Sequence, residues 1–434
     1  MKKVYGLWLL AFSLKLFGAG WDTSWHFKYF FDTFSPPHNI NTIGFLLAWA
    51  LVIYHWGGTD YARRWVARLR PSLQSFTHTW IMVERLGSDR HMDMGSLWIT
   101  TIGLIVFLIA APLDQLWHRI FGLDLTTWSP THLGLFAGTE LAILGVLMGV
   151  YRHGRTDKRG SFDSLTLVLL SGFLLEAFLF ACGQQEYGYI ALYALNHPDY
   201  VNTLHQTTFP IPALIAQSYT QGGPQALATG NVPTWLYPLY QLLIVSLILQ
   251  FARLLHRRVW TATAVAALYL AYRLLARFLL HTFDFPVSFV PYYLIGIALS
   301  LDLFGTLAQL STKTTIRAAV NNGMNLTLLG RKLTIRWAAI IWGGLAAAGA
   351  TAAVYGGGTL IQHFEVTPPI PPGSPQFGFL DGGFPLGFLL SCLGLWLAYQ
   401  VVALLDMQAR LQEARSAAKA AASAQARVTA TEQV

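Results

Sequence analysis

Ten stretches of 16 to 23 mostly apolar residues recur along the chain, at 4–21, 41–56, 96–113, 133–151, 163–182, 234–252, 260–280, 288–310, 337–355 and 385–405. A helix needs about 20 apolar residues to cross the hydrocarbon core of a bilayer. Inside that core each backbone N–H and C=O must find its partner within the protein, which an α-helix achieves by itself. The stretches therefore predict an all-α, polytopic membrane helical bundle of about ten transmembrane helices. The second stretch is short and is expected to begin inside the Ser35-Pro36-Pro37-His38 turn before it. Composition closes the soluble alternative: only 12% of 434 residues are charged, against roughly 25% in an average soluble protein. Two cysteines exclude a disulfide scaffold. No small-residue cleavage site follows the first apolar run, so that run is read as a retained helix.

The net charge of +8 acquires meaning once it is placed. With the N-terminus in the cytoplasm, 24 of the 29 Lys and Arg fall in inner segments, three (Lys15, Arg273, Arg277) fall within spans, and only Lys28 and Arg119 fall outside. Such an asymmetry is a positive-inside signal and places both termini in the cytoplasm. Six scattered inner segments do not make a nucleic-acid groove, so no nucleic-acid partner is expected. The organisation follows: a first hairpin over 1–58, a basic cytoplasmic loop over 59–95, a second hairpin over 96–152, and six spans over 153–405. Long outer loops are expected at 183–233 and 356–384, and an Ala-rich cytoplasmic tail over 406–434.

The first two outer loops repeat one another. The first carries Asp22, Trp25, His26, Asp32, Ser35-Pro36, His38 and Gly44; the second carries Asp114, Trp117, His118, Asp124, Ser129-Pro130, His132 and Gly138. Each copy lies between an outgoing and a returning span, as a duplicated helical hairpin would place it. Asp22 and His26 are four residues apart and share a helix face if the first span continues to about residue 27; Asp114 and His118 do the same. Ser followed by Pro is a helix-start signal, which puts His38 and His132 in the first turn of the returning helices. Each hairpin then gathers one carboxylate and two imidazoles at the outer membrane boundary.

A set of two His and one carboxylate suits Cu, Zn or Fe, whereas Mg and Ca prefer oxygen donors. Asp32 and Asp124 are placed to accept a hydrogen bond from a ligating imidazole, with Trp25 and Trp117 beside the set. The same residues also read as ordinary boundary Trp-His and helix capping, or as a proton relay or substrate-recognition cluster without metal. The arrangement of Asp22, His26 and His38, and of Asp114, His118 and His132, resembles the metal site in the C subunit of copper membrane monooxygenases. That resemblance implies copper before zinc or iron, near the outer membrane face, and oxidation of a small or lipidic substrate. The phrase around Trp21 to His38 is also similar to bacterial multi-pass membrane proteins, which implies a bacterial plasma membrane.

Other charges lie at depth. Glu140, two turns inward of His132, and Arg277 are candidate catalytic groups behind the metal. Ion pairs of Arg277 with Glu140 or Glu176, and of Arg273 with Asp302, are expected because buried charges are costly alone. Lys15 is expected to snorkel to an aqueous boundary. His281 and Asp284 form a weaker third constellation. No phosphate-binding loop, dinucleotide fingerprint, zinc-protease or serine-hydrolase motif is present, so no nucleotide cofactor is expected. Haem is disfavoured, because haem does not need the Asp that precedes each copy's first His. The functional classes left are a metal-dependent oxidoreductase or hydrolase, a membrane transporter using the buried charges, and a metal-free subunit of a membrane complex.

Overall fold

A computed structural model describes residues 2–28, 35–57, 59, 92–121, 129–156, 161–180, 236–256, 258–285, 290–313, 324–328, 331–335, 337–365 and 383–431. Among the described residues, ten helices make up the bundle. They are α1 (Lys2–Lys28), α2 (Pro36–Gly57), α3 (Met94–Phe121), α4 (Pro130–Thr156), α5 (Ser161–Leu179), α6 (Leu236–His256), α7 (Thr261–Thr282), α8 (Leu294–Lys313), α9 (Trp337–Glu365) and α10 (Phe384–Thr431). Among the described residues, nine helices are long and apolar enough to cross a membrane. The chain is a multi-pass membrane protein.

The eighth expected span differs. Its apolar helix is shorter, Leu294–Ala308, because Pro291 sits in a turn whose carbonyl accepts from the Leu294 N–H at 3.0 Å. Proline has no N–H of its own to extend a helix through that point. Between α8 and α9 lies a feature the helical reading did not anticipate. Strands β1 (Met324–Leu328) and β2 (Arg331–Ile335) pair antiparallel, Met324 opposite Ile335 and Leu328 opposite Arg331. The ninth helix also runs further than expected, through Gly356, Gly357 and Gly358 to Glu365. A Cβ on Gly357 would stand 2.7 Å from that of Tyr293, so a side chain there would push α9 off its neighbour.

Two close pairs, α1 with α2 and α3 with α4, form the hairpins. Helix α5 joins them to the rest by touching α1, α4, α6 and α7, while α6 is packed by α5, α7, α8, α9 and α10. Large apolar side chains point outward on most helices, among them Leu46, Ile53, Ile109, Leu116, Phe278 and Leu389. In water such surface would be a liability; facing lipid it is the expected exterior.

Among the described residues two buried ion pairs cross the bundle, but not between the partners the sequence led us to expect. Glu176 on α5 meets Arg273 of α7 at 3.1 Å, where Arg277 was the expected partner. Asp302 on α8 meets Arg253 of α6 at 3.4 Å, where Arg273 was expected. Asp302 also accepts from the backbone N–H of Thr263 (2.8 Å) and Ala262 (3.4 Å) and from the Thr263 hydroxyl (2.9 Å). It thereby caps α7, whose own N-cap residue, Trp260, makes no side-chain cap bond. A carboxylate from a neighbouring helix satisfies orphan donors as well as a local one, and the helix N-terminus favours its charge.

Candidate functional site

Both hairpins begin their second helix in the same way. The Ser35 hydroxyl accepts from the His38 N–H at 3.4 Å, and the Ser129 hydroxyl accepts from the His132 N–H at 3.3 Å. With proline at the first helical position in each case, the cap places the histidine in the first turn. The outgoing helices continue through Lys28 and Phe121, past the Asp-x-x-Trp-His segments. Each hairpin consequently brings its Asp against its second His. His38 Nε2 lies 3.1 Å from Asp22 Oδ1, and His132 Nε2 lies 3.5 Å from Asp114 Oδ1.

The glycine that closes each repeat sets the distance between the helices. A Cβ on Gly44 would lie 2.6 Å from the Ala11 carbonyl and the Lys15 nitrogen; one on Gly138 would lie 2.6 Å from the Phe107 nitrogen and 2.8 Å from the Gly103 carbonyl. Lys15 and Phe107 each precede the repeat Asp by seven residues, and Ala11 and Gly103 by eleven. The two hairpins therefore cross in the same register.

A cavity of about 510 Å³ lies between the hairpins and is lined by both Asp–His pairs. Its walls come from matching positions of the two copies: Ala19 and Ala111, Leu16 and Leu108, Lys15 and Phe107. Besides Lys15 opposite Phe107, the copies differ at the pairs themselves. Thr131, which replaces Pro37, donates to Asp114 Oδ1 at 2.7 Å and holds that carboxylate in place.

Lys15 does not snorkel. It is 2% exposed and lines the cavity, with Nζ donating to Asn41 Oδ1 at 3.2 Å and lying 3.1 Å from the centre of the Phe107 ring. Two helical turns, about 10 Å, separate it from Asp22 along α1. Sequence reading missed Lys15, Asn41 and Thr131 as site residues. The signal for Lys15 was its position, since the repeat register sets it opposite an aromatic ring.

Other sequence-derived candidates fall elsewhere. The side chains of His26 and His118, and the whole of Asp32 and Asp124, lie outside the described residues. Glu140 and Arg277 are half-buried and do not line the cavity. Trp25 stacks on Phe285 at 5.6 Å and meets Trp21 edge-on at 6.1 Å, which ties the end of α1 to the segment after α7. Trp117 is half-buried on α3. His281 and Asp284 are exposed and away from the cavity. Among the described residues, no group of three His, Cys, Asp or Glu side chains is placed to hold one metal ion.

Fold and site together define a polytopic membrane protein with a paired polar centre at one end of its hairpins. No family model matches the chain, and no curated protein or solved structure matches it.

Proposed function

We propose that this membrane protein holds a transition metal, copper ahead of zinc or iron, at the Asp–His pair of each hairpin, and works as a metal-dependent oxidoreductase on a small or lipidic substrate. The supporting observation is recurrence: the same pair forms at the same positions of two hairpins and faces one cavity. Two donors about 2.0–2.1 Å from a tetrahedral ion stand about 3.3 Å from each other. Separations of 3.1 and 3.5 Å suit that geometry. In this reading His26 and His118, one turn beyond each Asp, complete the two sets. When bound, copper or iron supplies redox chemistry and zinc an activated water. The chain itself contributes a cavity with both apolar and polar walls, and capped helix starts that orient the imidazoles.

The charge asymmetry supports an orientation with both termini and the β1–β2 hairpin in the cytoplasm, and the cavity toward the outside of a bacterial plasma membrane. Transport has less support. Arg273 and Asp302, the charges on which a carrier reading rests, are each engaged in an inter-helix ion pair.

Metal analysis of the protein purified in neutral detergent tests the proposal. One equivalent of Cu, Zn or Fe per hairpin is expected, lost in His38→Ala/His132→Ala. A metal-free parent protein, or a variant that keeps its metal, would falsify the reading.

A further inference from the structure

The cavity contains a buried amine that the metal reading does not use. Lys15 is 2% exposed and faces the cavity. Its contacts are the Asn41 carbonyl oxygen at 3.2 Å and the faces of Phe107 and Phe45, with no carboxylate among the described residues within ion-pairing distance. An amide oxygen and aromatic faces stabilise an ammonium only in part, so a buried amine holds its proton firmly only when a counter-charge arrives beside it. Both cavity carboxylates, Asp22 and Asp114, are already held by histidines, Asp22 two turns along α1 from Lys15. They also disfavour a ligand carrying more than one negative charge.

Among the described residues, the cavity wall is open on one side. Thr42 of α2 and Leu108 and Pro112 of α3 line the cavity and are exposed, Leu108 at 51%. Thr42 adjoins the outward-facing Ile43 and Leu46, while Leu108 and Pro112 adjoin Ile105 and Ile109. Helices α2 and α3 touch where Trp56 donates to Thr101 at 2.9 Å, and again where Phe45 meets Phe107 at 4.9 Å. The exposed lip of the cavity lies beyond those contacts, on the side of the bundle that faces lipid.

We propose that the cavity binds a monoanionic amphiphile of the fatty-acid type, its carboxylate on Lys15 and its hydrocarbon chain leaving between α2 and α3 past Leu108. The ligand uses the cavity that the proposed function takes as its working site, but it does not require the metal. A bound carboxylate supplies the counter-charge with which Lys15 carries its proton, the Phe45 and Phe107 rings cover the first methylenes, and the rest of the chain stays in hydrocarbon. This narrows the substrate class of the site to membrane-borne carboxylates.

Equilibrium binding of decanoate and decanol to the full chain in phosphatidylcholine nanodiscs tests the assignment. Decanoate is expected to bind at least tenfold tighter than decanol, and Lys15→Gln is expected to abolish the preference while melting like the parent. Leu108→Trp, which fills the lip without touching the cation, is expected to weaken decanoate at least fivefold. Equal affinities in the parent, a preference retained in Lys15→Gln, or undiminished binding in Leu108→Trp would each overturn the proposal. If Lys15→Gln does not fold, the parent's preference and Leu108→Trp decide the matter. Metal content is measured on the same samples. A metal-free parent that prefers decanoate refutes the metal reading alone, and a metal-loaded parent without the preference refutes the carboxylate site alone.

Discussion

Glu176 and Arg273 face each other at 3.1 Å in the bundle interior, both more than nine-tenths buried. Removing one partner leaves a desolvated charge, which costs about 3–5 kcal/mol, whereas replacing both with apolar groups is often close to neutral. Glu176→Leu and Arg273→Met are each expected to lower thermal stability sharply, and the double variant to recover most of it, as read by circular dichroism in neutral detergent. Asp302 carries more than one duty, since it pairs with Arg253 and caps α7. Asp302→Ala is expected to cost about 3–5 kcal/mol, and Asp302→Asn less, because the amide oxygen still accepts from the Thr263 N–H. Equal losses in Ala and Asn would show that the cap contributes little. That these charges would be paired was legible in the sequence, because an isolated charge in lipid is costly. Their partners were not legible, since helix rotation and depth are set by packing across the whole bundle. The same holds for Lys15, whose spacing from the membrane boundary is compatible with snorkelling and whose burial is decided by α2 and α3.

At the scale of elements, the hairpins are the best-specified part of the chain. Ser35-Pro36 and Ser129-Pro130 start α2 and α4 where helix-capping chemistry puts them, and the Asp–His contacts follow. Gly44 and Gly138 let the paired helices approach so closely that a methyl group would meet backbone at 2.6 Å. Gly44→Ala and Gly138→Ala are each expected to destabilise by about 1–3 kcal/mol through overpacking. Gly343 on α9 has nothing near its would-be Cβ, so Gly343→Ala is expected to be neutral or to stabilise by up to about 1 kcal/mol through helix propensity. A melting series of the three variants checks both signs. Where elements departed from expectation, a local signal met a tertiary one. The glycine run at 356–358 reads as a loop by propensity, yet it remains helical where α9 passes Tyr293. The β1–β2 hairpin carried its own signal, alternating Met-Asn-Leu-Thr-Leu followed by Leu-Gly, within a segment that reads as a charged linker.

Across the whole molecule, the proposed orientation rests on the charge asymmetry. A cysteine placed at position 124 is expected to react with a membrane-impermeant maleimide in intact cells, whereas one at position 70 is expected to react only after lysis, in a background lacking Cys182 and Cys392. The reverse pattern would invert the bundle and move the cavity to the cytoplasmic side. Apolar run length determined the number and approximate bounds of the helices, because burial in lipid depends on local composition alone. The repeat likewise determined that an Asp and a His meet in each hairpin, because capping and spacing are local. Only the tertiary structure decided that the two pairs face one cavity, that Lys15 lies inside it, and which helices Asp302 and Glu176 tie together. Those outcomes depend on how each helix is rotated and how deep it sits against its neighbours. Lipid exerts little preference among apolar faces, so close packing and pairing of the few buried charges settle the rotation.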